Sequence, residues 1–101
     1  MANENTPLTI EGKVKLALRI SHTLLDAEIA DVIKSARAEM VRAGVDPVRA
    51  EGSNEIIETA IKTYALAYYA SEEKDAKRYQ ESFMYQCDCL RKHYTAGDEN
   101  V

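Results

Sequence analysis

The sequence predicts a small all-α protein, and three observations lead to that prediction. Apolar residues recur at helical spacing through most of the chain. No segment shows the alternation and β-branched content of a strand. Capping residues, together with one glycine that is soon followed by a proline, divide the helical pattern into segments. We therefore expect four helices, a short N-terminal one and three longer ones, within residues 8–94.

The first helix is predicted over residues 10–19, with Thr9 as its N-cap. Isolated helices shorter than about 12 residues are marginal in water, so this helix must pack on the rest of the domain. The pattern then stops at Ile20–His22 without a glycine or proline. Thr23 and Asp26 resemble a capping box with a shortened acid, which predicts that a new cap at Thr23 starts the next helix.

The second helix is predicted over residues 24–43, and its apolar side chains form one stripe. Gly44 stands where a glycine commonly ends a helix, and Pro47 follows it. Residues 44–54 are expected to form a loop. The stripe consists of Leu25, Ile29, Val32, Ile33, Ala36 and Met40.

The third helix is predicted over residues 55–71, with Ser53 or Asn54 as its N-cap. Its second half, YALAYYA at residues 64–70, carries no charge on any side. A helix that is apolar all round is either central to its domain or covered by a partner.

The last helix is predicted to begin with the capping segment SEEK at residues 71–74 and to end near Tyr94. Its core stripe is Ala76, Tyr79, Phe83, Cys87, Leu90 and Tyr94. The predicted core of the domain is Leu25, Ile29, Val32, Ile33, Ile57, Ile61, Tyr64, Phe83, Cys87 and Leu90. Residues 1–7 and 95–101 are polar and are expected to be flexible ends.

The composition excludes several functional classes. Thirteen Lys and Arg against seventeen Asp and Glu give a net charge of −4, and no basic patch suggests a phosphate-binding surface. No apolar run is long enough to span a bilayer, and the N-terminal residues do not resemble a secretion signal. The sequence therefore predicts a soluble protein of the cytoplasm where it is made.

We expect no catalytic, cofactor-binding or metal-binding residues. Cys87 and Cys89 are two positions apart on a helix, so they point about 200° apart and cannot share one ion. Cys87 is expected to be a core residue and Cys89 a surface residue. His22 has no nucleophile or acid at a diagnostic spacing, which favours an exposed linker residue.

Tyrosines suggest a protein interface, because they make up six of the seven aromatic residues. Tyrosine buries a large ring while keeping a polar tip, and it is enriched at interfaces. The core stripes do not account for four residues of the last two helices. The candidate subunit interface is therefore Leu66, Tyr69, Tyr85 and Cys89.

The order of these segments resembles the head-tail connector proteins of tailed phages and prophages. The resemblance runs through VKLALRIS, TLLDAEI, VIKSARAEMVRAGVDP, IIETAIKTYALAYY and EEKDAKRYQESF, and covers about residues 8–94. Its motifs are helical patterns and not catalytic signatures. Gly12 within the first helix and the Cys87–Cys89 pair depart from the family's pattern.

The resemblance implies a structural virion protein that forms a ring beneath the portal at the phage neck. Such rings usually hold about twelve subunits, extend the DNA channel and receive a head-closure or tail-completion protein. The protein would wait in the bacterial cytoplasm before assembly, and DNA would pass through the ring without specific binding. A net negative ring suits such a channel, because a basic lumen would hold the phosphates.

Two other functions stay open. A helix-turn-helix regulator could be built on the first two helices, although residues 24–43 carry no excess of basic side chains. A host-directed inhibitor could instead dock through the tyrosine surface. A salt-dependent DNA shift would favour the first alternative, and stoichiometric capture of a non-phage protein would favour the second.

Overall fold

The computed structural model describes residues 9–93, and this part of the chain forms five α-helices and no strand. The predicted all-α class is confirmed. The predicted flexible segments 1–7 and 95–101, and Tyr94 of the predicted core stripe, lie outside the described residues. The helices are α1 (Ile10–Leu18), α2 (Asp26–Arg42), α3 (Pro47–Ala50), α4 (Glu55–Tyr69) and α5 (Glu73–His93).

Helix α4 is the central element of the domain, because it packs against α1, α2 and α5. Ile57, Ala60, Ile61 and Ala65 are completely buried along it. The buried Thr63 hydroxyl donates a hydrogen bond to the carbonyl oxygen of Thr59 at 2.9 Å, so it leaves no unpaired donor. Other helices of the same chain thus cover much of α4, including part of the second half that the sequence predicts to be apolar all round.

The short helix α1 is held onto its neighbours by one buried side chain and two ion pairs. Val14 is completely buried in the core. Lys13 Nζ donates to Glu58 Oε1 on α4 at 2.7 Å, and Glu58 is only 7% exposed. Lys15 Nζ reaches Asp26 Oδ1 on α2, also at 2.7 Å. The expectation that this helix must pack on the domain is confirmed.

Helix α1 ends at a residue with left-handed backbone geometry. Arg19 has a φ of 61°, and its N–H donates to the carbonyl oxygen of Leu16 at 3.1 Å. The N–H of Ile20 donates to the carbonyl oxygen of Lys15 at 2.9 Å. These two bonds form a Schellman motif, which satisfies the last carbonyl groups of the helix.

The predicted cap at Thr23 is wrong. Helix α2 begins at Asp26, and its N-cap, Leu25, makes no side-chain capping bond. Thr23 contributes its carbonyl oxygen, which accepts from the N–H of Asp26 at 3.2 Å. The left-handed Arg19, and not a new cap, therefore causes the interruption between the first two helices.

Helix α2 ends with the same motif, but glycine occupies the left-handed position. Gly44 has a φ of 107°, and its N–H donates to the carbonyl oxygen of Val41 at 2.9 Å. The N–H of the buried Val45 donates to the carbonyl oxygen of Met40 at 2.9 Å. The predicted role of Gly44 is confirmed, and a Cβ atom there would collide with the Arg91 side chain.

The predicted loop 44–54 contains the one-turn helix α3, so the described chain has one helix more than predicted. Asp46 Oδ2 accepts hydrogen bonds from the N–H groups of Val48 and Arg49 at 3.1 and 3.2 Å. Pro47 occupies the first helical position, where its missing N–H is tolerated. The proline expected to stop α2 therefore also starts α3.

A single arginine ties the end of α3 to α2. Arg37 Nη1 donates to the carbonyl oxygens of Ala50 and Gly52 at 2.7 and 2.8 Å. Asn54 Oδ1 then accepts from the N–H of Ile57 at 2.9 Å and caps α4. Of the two predicted caps for this helix, Asn54 is the one used.

The predicted core agrees closely with the observed one. Eight of its ten residues are buried, and the other two, Leu25 and Tyr64, are half-buried and pack against the cluster. Helix ends differ by a few residues, because α4 stops at Tyr69, where Ala70 adopts an extended conformation. Helix α5 starts at Glu73, with Glu73 and Asp75 in its acidic first turn.

Truncation at the centre of α4 should be costly. Ile61→Ala should lower the free energy of unfolding by about 2–5 kcal/mol, because it leaves a cavity in the core. Ile56→Ala removes the same atoms from a side chain of the same helix that is 51% exposed, and should cost less than about 1 kcal/mol. Equal losses for the two variants in urea unfolding would contradict the central position of this helix.

The two Schellman motifs give opposite expectations for glycine. Arg19→Gly should raise the free energy of unfolding by about 1 kcal/mol, because it removes the cost of left-handed geometry. Gly44→Ala should lower it by a similar amount or more. Both should be measured by denaturant unfolding at one low protein concentration. A destabilised Arg19→Gly protein would show that the strain at this position is negligible.

Candidate interaction surfaces

The structure separates the four predicted interface residues into two pairs. Leu66 and Tyr69 are half-buried and line a cavity beneath the end of α1, which Leu18 and Tyr79 also line. Tyr85 and Cys89 do not line this cavity and are exposed one turn apart on α5. The four side chains therefore do not form a single patch around this cavity.

Tyr69 has a contact within its own chain. Its hydroxyl donates to Glu28 Oε1 on α2 at 2.6 Å, and its ring packs against the core and against Tyr68. Burial and this carboxylate raise the pKa of Tyr69 well above its ordinary value. Intrachain packing thus gives Leu66 and Tyr69 a structural role, and their contact with another subunit stays a prediction.

Tyr85 is the most exposed of the tyrosines within residues 9–93, at 70% of its surface. The Cys89 side chain one turn away raises the pKa of Tyr85. A large ring left in water on the outer side of a helix suits an intermolecular contact. Its place at an interface also stays a prediction.

The two cysteines have different surroundings, as predicted. Cys87 is completely buried, and burial together with the nearby Glu39 carboxylate raises its pKa to about 11. Cys89 is exposed. Within residues 9–93, no group of three or more His, Cys, Asp or Glu side chains could hold a metal ion. His22 is exposed, as expected, and its Nδ1 accepts from the N–H of Leu24 at 3.2 Å.

A second cavity, here called the aromatic cavity, opens between α2, α4 and α5. Its volume is about 350 Å³. The rings of Tyr64 and Phe83 meet edge to face in its wall, with their centroids 5.1 Å apart. Tyr68 and Met84 at its mouth are 55% and 52% exposed. Its lining consists of Glu39, Tyr64, Ala67, Tyr68, Gln80, Phe83 and Met84.

The aromatic cavity contains one carboxylate, which is only partly neutralised. Glu39 Oε1 accepts from Arg42 Nε and Nη2 at 3.1 and 2.9 Å. The Arg42 side chain is 77% exposed, and exposed pairs of this spacing contribute little to stability. Because both bonds end on Oε1, Glu39 Oε2 can accept a further donor.

Sequence reasoning did not find the aromatic cavity. Tyr64 and Phe83 were assigned to the predicted core, and the sequence does not show that Glu39 on a different helix faces them. The available signal was the spacing of Tyr64 and Tyr68, which places both rings on one side of α4. Finding the carboxylate beside them required the packing of three helices.

A second exposed surface, here called the corner, joins α1 to α2 and consists of residues 16–24. Leu16 is 69% exposed and Leu24 is 84% exposed. Arg19 lies between them in the chain and is also exposed. Two large apolar side chains and a cation are thus exposed at the end of α1 and in the segment that follows it.

Comparison with protein-family models, curated proteins and solved structures finds no match to this chain. Among residues 9–93, none of the helices combines the length and the apolar character needed to cross a membrane.

The cysteines should differ in reactivity. At pH 8, one thiol per chain should react rapidly with a disulfide reagent, because Cys89 is exposed. Cys87 should react only slowly, because its raised pKa and burial suppress the accessible thiolate. Cys89→Ser should abolish the fast phase and keep the slow one. A fast phase that survives this substitution would show that Cys87 is accessible.

Proposed function

We propose that this protein is a structural subunit of the phage neck, which assembles into a ring on the portal and extends the DNA channel. The sequence resemblance to head-tail connector proteins supports this function. The observation that carries the proposal is the exposure of large apolar side chains on separate parts of one small chain.

Four of the exposed large apolar side chains belong to two different surfaces. The corner carries Leu16 and Leu24, whereas Tyr68 and Met84 surround the mouth of the aromatic cavity. A contact between two unlike surfaces is heterologous, and its repetition gives a ring when the rotation between neighbours closes. A two-fold dimer would instead bury one surface against its own copy. The arrangement therefore favours cyclic assembly.

The charge of the chain is compatible with a channel through which DNA moves. The full sequence has a net charge of −4. Phosphate contacts to a strongly basic lumen would hold the DNA, because their affinity increases with each cation that contacts the backbone. A ring of negative subunits would instead allow DNA to slide.

The DNA-binding alternative receives little support from α2. Of its three cations, Arg37 is bound to carbonyl oxygens of the α3 segment, and Arg42 is paired with Glu39. Lys34 and the exposed Arg42 are thus the cations of α2 that could contact a phosphate. A recognition helix that reads a major groove normally presents several donors.

The decisive sample contains the portal. Negative-stain images of purified portal rings should show an added collar when this protein is present. Tyr85→Asp should weaken the collar, because it places a charge on an exposed ring at the predicted interface. Tyr85→Phe keeps the ring and should leave the collar intact.

Portal rings that remain unchanged at high concentrations of the protein would contradict the proposal. A salt-dependent shift of duplex DNA by the protein would favour the regulator instead. Stoichiometric binding to a host protein, without any collar, would favour the inhibitor.

A further inference from the structure

Arg19 differs from the other arginines because its side chain has no partner within residues 9–93. The other five arginines each have an interaction partner. The side chain of Arg19 makes no hydrogen bond or ion pair within residues 9–93. Arg37 binds two carbonyl oxygens, Arg42 pairs with Glu39, and Arg49 also has a partner. Arg78 pairs with Asp75, and Arg91 pairs with Asp88.

Arg19 also occupies a position where glycine would fit better. Its φ of 61° is left-handed, and Gly44 occupies the equivalent position at the end of α2. Left-handed geometry is unfavourable for a residue that carries a side chain. The same fold thus uses glycine at one helix end and a strained arginine at the other. A strained and exposed residue whose side chain has no partner in the described part of the chain suggests a function outside its own domain.

The aromatic cavity has the chemistry to bind a guanidinium group. Three aromatic rings line it, those of Tyr64, Tyr68 and Phe83, and Glu39 adds a carboxylate. No lysine or arginine is among its lining residues. Aromatic faces attract cations, and the flat guanidinium both stacks on rings and pairs with carboxylates. A cavity of about 350 Å³ has room for one such side chain.

The corner and the aromatic cavity lie on different sides of α4. Arg19 lines the cavity beneath the end of α1, together with Leu66, Tyr69 and Ala70 of the α4 end. The aromatic cavity uses Tyr64, Ala67 and Tyr68 instead. The two cavities share no lining residue. A contact between the corner and the aromatic cavity would therefore naturally join two copies of the chain.

We propose that Arg19 of one copy inserts into the aromatic cavity of the next copy, where it stacks on the tyrosine rings and pairs with Glu39. Leu16 and Leu24 beside it would cover the exposed Tyr68 and Met84 at the mouth of the cavity. This inference rests on the proposed ring assembly and assigns its subunit contact. Opposite charge and exposed apolar area on both sides make a second copy the occupant.

Charge reversal tests this contact. Arg19→Glu and Glu39→Arg should each weaken self-association by more than about tenfold, measured by sedimentation velocity. An equimolar mixture of the two variants should recover assembly. In the mixture, Arg19 of the Glu39→Arg variant meets Glu39 of the Arg19→Glu variant. At the alternate contact the two introduced side chains meet, and their charges are also opposite. Arg78→Glu makes the same change of net charge as Arg19→Glu, but at an exposed side chain outside the contact. It should have no effect on self-association.

Two further measurements distinguish the loss of the contact from misfolding of a variant. Circular dichroism should show the wild-type helix content for each variant. Glu39→Gln and Arg19→Lys are milder changes, and each should weaken association less than the matching reversal. A mixture that assembles no better than its components, or an Arg19→Glu protein that assembles like the wild type, would overturn the inference.

The same variants on portal rings separate this inference from the proposed function. If the wild type adds a collar and both reversals add it equally well, the Arg19 contact is wrong and the neck function stands. If portal rings recruit no wild-type protein, the neck function fails, and sedimentation of the mixture alone decides the contact. A wild type that stays monomeric in solution and on portal rings would overturn both.

Discussion

The fold depends on one constraint, the need to cover the apolar side chains of α4 with other helices of the chain. The second half of α4 has no charged residue, so exposing any side of that half to water is unfavourable. Helices α2 and α5 cover much of it, and the short α1 lies along another side. Val14 and the Lys13–Glu58 pair hold α1 in place, because a helix of nine residues would not persist alone. The corner exists because the chain must leave α1 and return along α2.

Features that depend on neighbouring residues could be predicted from the sequence. Thr9 and Asn54 cap their helices through bonds to N–H groups three residues ahead, and Gly44 ends α2. The apolar stripes identified most of the core, because helical period fixes which side chains share a face. These rules require no knowledge of the tertiary structure.

Features that depend on unusual backbone geometry or on distant residues could not be predicted in this way. The interruption between α1 and α2 was attributed to a new cap at Thr23, because an arginine is not expected in left-handed geometry. Arg37 stabilises the α3 segment through carbonyl oxygens more than ten residues away in the chain. Leu66 and Tyr69 were assigned to a surface because the position of α1 over α4 cannot be read from periodicity.

The proposed ring connects these local and distant features. Sequences that fold well agree with local rules almost everywhere, and departures concentrate where another function constrains the residue. Arg19 departs from the rule that Gly44 follows, and the exposed Leu16 and Leu24 depart from the burial of apolar side chains. All three departures fall in the corner, which is the surface proposed to reach the next subunit.

The most direct measurement is a cryo-electron microscopy reconstruction of the collar formed on the portal. The proposed contact requires a ring with rotational symmetry. In that ring, the corner of each copy meets the aromatic cavity of the adjacent copy. Density for Arg19 should lie beside Glu39 and between tyrosine rings at every repeat. Two-fold pairs that bury the same surface on both copies, or a ring in which the aromatic cavity faces solvent, would contradict the account.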